Sequence, residues 1–154
     1  MAGFKFRLET LLKLKEQFEK NARIELGAAI MKLEEEKARL KVIEDNIDIT
    51  TNDFRDACSG VIRPEKIKEL KAYLEHLQHE KDKQQEIVKR QQKNVDIIRE
   101  KLVEIMKERK VLENLKEREF QEYLKEETKK EQQQVDELVS YKESSNTADL
   151  LDDG

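Results

Sequence analysis

The sequence predicts an all-α fold, a long two-helix antiparallel coiled-coil hairpin with a longer second helix, and three observations carry that prediction. Turn-forming residues are scarce: 154 residues hold four glycines and one proline, so the chain has few places to reverse. Charge is dense, at 43% against 36% hydrophobic and 5% aromatic residues, which suits long helices and leaves little material for a layered core. Apolar residues recur in alternating steps of three and four on both sides of one strong turn signal.

The turn signal is "ACSGVIRPEK", residues 57–66, which contains Gly60 and the only proline, Pro64. Glycine ends a helix in the left-handed conformation without steric cost, and proline fits the first turn of the next helix because its missing N–H would have no helical acceptor there. The first helix is therefore predicted over about 4–59, the turn over about 60–64 and the second helix over about 65–142, with 143–154 as a flexible acidic tail. A connection this short cannot carry the chain back to its starting end, so the helices run antiparallel.

In the first helix the stripe reads Leu8, Leu11, Phe18, Ala22, Leu26, Ala29, Leu33, Leu40, Ile43, Ile47, Phe54, Ala57 and Val61. Lys15, Glu36 and Thr50 interrupt it, and a four-four step across Phe18, Ala22 and Leu26 predicts a local unwinding of the supercoil. The stretch from Phe4 to Leu14 carries more apolar residues than one seam uses. Leu8 and Leu11 are expected to face the second helix, and Phe4, Phe6, Leu12 and Leu14 to point at least partly elsewhere. Exposed apolar surface at the end of a helical rod marks a contact site.

The second helix repeats the pattern through Ile67, Leu70, Leu74, Leu77, Val88, Val95, Ile98, Leu102, Ile105 and Leu112. Lys81, Gln84, Gln91 and Arg109 occupy intervening seam positions, where polar residues weaken packing and help fix register. After an irregular step the stripe continues as Phe120, Leu124, Val135 and Leu138. Helices of roughly 55 to 80 residues at 1.5 Å per residue give a rod on the order of 80 to 120 Å long. The second helix overhangs the first, leaving Phe120, Tyr123 and Leu124 as candidates for another protein's surface. The stretch "KESSNTADLLDDG" loses periodicity, which is why a tail is expected there.

Composition narrows function. Thirty-one Lys plus Arg and thirty-five Asp plus Glu, mixed along the chain to a net charge of -4, provide no basic stripe for nucleic acid. No catalytic residue, cofactor, metal ligand or small-molecule substrate is expected: phosphate-binding glycine loops and nucleophile elbows are missing, and Cys58 has no histidine near it in sequence. His76 and His79 share a helix face with Glu75, Glu80 and Asp82 close by, yet a helical metal site needs ligands converging from a second element. With one cysteine and neither a signal segment nor an apolar run of about eighteen residues, the expected compartment is the cytoplasm. Two function classes fit. One is a protein-binding stalk; the other is a homo-oligomeric or membrane-surface scaffold, for which Lys5, Arg7, Lys13 and Lys15 beside Phe4, Phe6 and Leu8 would suit an interfacial segment.

The opening "FKFRLETLLKLKEQFEKNARIEL" resembles the N-terminal motif of the flagellar export protein FliJ family, in Phe4 or Phe6, Arg7, Leu8, Glu9, Leu11, Leu12, Leu14 and Ala22. The central turn followed by "KAYLEHL" and the longer second helix are also similar. The resemblance implies a non-enzymatic cytoplasmic stalk of the flagellar type III export apparatus, peripheral at the inner face of the membrane and similar in shape to the central stalk of rotary ATPases. The implied partners are the hexameric export ATPase, the export gate membrane protein FlhA and export chaperones. By position, the resemblance places the ATPase contact at Phe6, Arg7, Leu8, Leu11, Leu12 and Lys15 with Phe120 and Leu124, and the gate contact at Ile43, Tyr73 and Leu77. Asn46 and Thr50 stand where relatives carry further aromatics near that gate patch.

Overall fold

Where a helix must stop, this chain has one set of residues that can stop it. In the computed structural model, which describes residues 3–152 with side chains as far as Ala148, helix α1 spans Glu9–Cys58 and helix α2 spans Pro64–Asp152. Gly60 adopts a left-handed φ of 92° and lets the chain reverse between them. Ser59 Oγ donates to the carbonyls of Arg55 and Asp56 at 3.3 and 3.1 Å, satisfying acceptors that the helix end leaves open. Pro64 opens α2, and Glu9 and Glu65 put negative charge into the first turns, where the helix dipole favours it. The result is the expected all-α two-helix hairpin with the longer helix second.

The chain forms two compact units: residues up to Glu16 together with those from Lys107 on, and Gln17–Met106. In the second of these, Ala29, Leu33, Val95 and Ile98 form the core, with Leu26, Ile30 and Val88 packed against it. Val95 retains 1% of its surface, and burying such a side chain stabilises by about 1.5–3 kcal/mol. In the other unit Phe6, Leu12 and Leu112 form the core, flanked by Phe4, Leu8 and Leu115.

The α2 stripe follows the expectation from Ile67 to Leu112, with Lys81, Gln84, Gln91 and Arg109 at the intervening inward positions. The α1 stripe requires a correction. Burial follows Leu8, Leu12, Lys15, Glu19, Ala22, Leu26, Ala29, Leu33, Glu36, Leu40, Ile43, Ile47, Thr50, Phe54 and Ala57, so steps of four and three alternate without the four-four step. Leu11 and Phe18 are exposed, at 39% and 41%, and their neighbours Leu12 and Glu19 are buried. Position in the heptad overrides hydrophobicity at a single residue: a glutamate can lay its methylenes in the seam while its carboxylate reaches outward, and here that carboxylate meets Arg23 at 2.8 Å. Val61 also leaves the seam, lying in the turn and 91% exposed.

One buried polar pair crosses the seam. Gln84 Nε2 donates to the main-chain carbonyl of Glu36 at 2.9 Å and to its carboxylate. Lys32 and Arg39 meet the same carboxylate from α1, each at 3.2 Å. The Gln84 hydrogen bond, with Lys32 and Arg39 behind it and burial opposing, holds Glu36 below the usual carboxylate value.

Both ends of the helical pattern differ from the expected bounds. Residues 3–8 precede α1 as an irregular segment and a turn rather than as helix from about residue 4. In a helix Phe4 and Phe6 would project to opposite sides, whereas in an extended segment residues two apart share one side, and both phenylalanines here meet α2 or the core beside it. At the other end α2 continues through residues 143–152, which were expected to form a tail, and residues 153–154 lie outside the described ones. Loss of apolar periodicity removes packing but not backbone hydrogen bonding, and extending an existing helix through residues free of Gly and Pro costs little. Local bonds such as Thr147 Oγ1 to the Glu143 carbonyl at 2.8 Å run through this part.

Candidate partner-binding surface

The unit that contains the N-terminal segment is built by an aromatic strap. Phe4 lies edge-on to Phe120, with ring centroids 5.3 Å apart at 60°, and tilted against Tyr123 at 5.5 Å. Such pairs add about 0.5–1.5 kcal/mol beyond the area they bury. Two residues on, Phe6 enters the core at 6% exposure and packs with Leu12 and Leu112. Three ion pairs fasten the flanks and confirm the antiparallel sense: Arg7–Glu119 at 3.4 Å, Glu9–Lys116 at 2.8 Å and Lys15–Glu108 at 2.7 Å. Exposed pairs of this kind contribute up to about 1 kcal/mol each, so the apolar strap carries most of the closure.

This geometry divides the sequence-predicted contact residues. Phe6 and Leu12 are core residues, whereas the sequence predicts that they point at least partly elsewhere, and Leu8 packs on them. Arg7 and Lys15 are tied to α2 by the ion pairs above. Leu11, Leu14, Phe120 and Leu124 remain available, at 39%, 46%, 36% and 41% exposure. Leu11 and Leu14 lie three apart on one face of α1, and Phe120 and Leu124 lie four apart on one face of α2. Leu14 is surplus to the seam in sequence as well, whereas Leu11 and Leu12 satisfy the seam's period equally well and only the structure shows that Leu12 fills it.

Beside the strap lies a groove that the sequence did not reveal. Phe4, Leu12 and Phe120 supply its apolar surface, and Glu16, Glu113, Lys116 and Glu117 line it as well.

In the other unit the three residues matched to a gate contact also separate. Tyr73 is 47% exposed and stacks on His76, with ring centroids at 6.4 Å. Ile43 is half-buried, and Leu77, at 5% exposure, is turned into the seam, so it cannot serve as an outward contact while the helices are paired. Cys58 is exposed. No cluster of three or more potential metal-ligating side chains occurs among the described residues, and no described helix is long and apolar enough to cross a membrane.

Among known proteins, no curated protein and no solved structure matches the chain. A family model described as "Flagellar FliJ protein" matches residues 4–147, from the first phenylalanine of the strap almost to the end of α2. With a match over nearly its whole length, the chain belongs to the flagellar FliJ family.

Proposed function

We propose that the chain is a non-enzymatic stalk of the flagellar type III export apparatus. In this reading its terminal end enters the hexameric export ATPase, promotes ring assembly and export, and connects the ATPase to the gate protein FlhA from the cytoplasmic side of the membrane. Family membership supports a role in flagellar export. The observation that carries the more specific reading is the exposure of Leu11, Leu14, Phe120 and Leu124 beside the strapped terminus. A ring can grip a helical pair only by its outer surface, and a few apolar anchors among mobile charges give a contact that can release and re-form.

The test uses Leu11→Asp combined with Leu14→Asp in a reconstituted ATPase ring. Stimulation is expected to fall roughly tenfold or more, since an apolar anchor at the centre of an interface contributes on the order of 1 kcal/mol or above. Helicity by circular dichroism stays unchanged, because neither side chain is in the core. Undiminished stimulation refutes the reading. For the gate contact, Tyr73 is the residue best placed to act, with Ile43 at its edge and Leu77 supporting the seam beneath.

A further inference from the structure

The groove beside the strap has a charge balance that its apolar lining does not call for. Four charged side chains border it, and two are already committed: Lys116 to Glu9 at 2.8 Å, and Glu113 to Arg109 at 2.7 Å. The other two, Glu16 and Glu117, are exposed and make no ion pair among the described residues; Glu117 only accepts a hydrogen bond from Gln121 Nε2 at 2.9 Å. Two uncompensated carboxylates therefore flank an apolar cleft formed by Phe4, Leu12 and Phe120. An anion beside an apolar floor disfavours an acidic occupant by like-charge repulsion and favours one whose apolar side chain is flanked by cations.

We propose that this groove is a docking site for a protein segment in which one aliphatic or aromatic side chain is bordered by lysine or arginine. The apolar side chain seats in the cleft against the Phe4–Phe120 pair, and the neighbouring cations pair with Glu16 and Glu117. The inference rests on the stalk reading for the identity of the partner that offers the segment, but not for the chemistry of the groove. It deepens that reading by assigning the partner a basic, apolar-centred contact rather than an acidic one.

The experiment titrates the full chain with a synthetic peptide in which one leucine is flanked on each side by two arginines. Two control peptides replace the leucine by alanine or the arginines by glutamates. The arginine–leucine peptide is expected to bind, to bind roughly tenfold more weakly after the leucine is replaced, and to weaken as salt is raised. The glutamate peptide is expected not to bind. Glu16→Lys with Glu117→Lys abolishes binding and Glu16→Gln with Glu117→Gln weakens it, both with unchanged helicity. Absence of binding, equal binding of the glutamate peptide, or binding indifferent to the charge reversal overturns the proposal. So does self-association of the native chain that the charge reversal removes, because the occupant is then a second copy. In the reconstituted ring, a charge-reversed chain that stimulates as well as the native one removes the groove while leaving the stalk reading intact. Peptide binding by a native chain that never stimulates the ring removes the stalk reading and leaves the groove.

Discussion

At Glu36 a single carboxylate gathers a glutamine from α2 and two cations from α1, and the arrangement has a definite pH signature. A carboxyl held below its usual value of 4.5 contributes stability that is fully present above that value and is lost as pH falls through the lower, folded-state value. Glu36→Gln removes this contribution. The gap in thermal midpoint between native chain and variant is therefore expected to be widest near neutrality and to close as pH falls below about 4.5. A gap that is constant across that range refutes the linkage. Gln84 has a second role: its amide also bonds the Glu36 main-chain carbonyl, so a slip of α2 along α1 would strand a buried donor. Polar seam residues thus weaken the hairpin and select one register of it.

At the scale of elements, α2 outlasts α1 by a long unpartnered stretch, in which Val135, Leu138, Val139 and Tyr141 are 49% to 73% exposed. Helix here is an extension of a paired segment rather than an independently stable one. Removing residues 129–152 is therefore expected to lower total helicity while leaving the unfolding free energy within about 0.5 kcal/mol of the native value, as for surface changes without packing. A larger loss would mean that this part of α2 is covered in solution, and concentration dependence of the midpoint would identify a second copy as the cover. The seams were legible because a heptad is a property of many residues at once, and ten apolar positions from Ile67 to Leu112 agree on a single phase. The phase of α1 near its start was less legible: Leu11–Leu12 and Phe18–Glu19 each offer two candidates one position apart, and the greasier member of the second pair was the wrong one. The strap was hidden for another reason. Two phenylalanines are too few to reveal a period of two, and the segment is placed by contacts with residues distant in sequence, Phe120 and Tyr123 against Phe4 and Leu112 against Phe6. The groove combines both difficulties, since its lining comes from residues 4–16 and 113–120 and its carboxylates look in sequence like any others.

Taken as a whole molecule, the chain divides modest packing between two small cores, and it belongs to the flagellar FliJ family. Its reversal at Gly60 also imposes an order on assembly. Pairs such as Glu36–Gln84 close a loop less than half as long as the one that Arg7–Glu119 must close, and closure entropy grows by about 0.6 kcal/mol for each doubling of loop length. Pairing that starts toward the turn and advances by adjacent contacts avoids the long closure until neighbours have already been brought together. Amide hydrogen exchange is expected to reflect this, with slow exchange around Leu33 and Ile98 and faster exchange around Leu12 and Leu112. Equal protection at both places would refute the order. The strap is then the last piece of the chain to close and the first to open. A partner that recognises it samples only molecules in which zippering has run to completion, so binding at that end doubles as a check on folding.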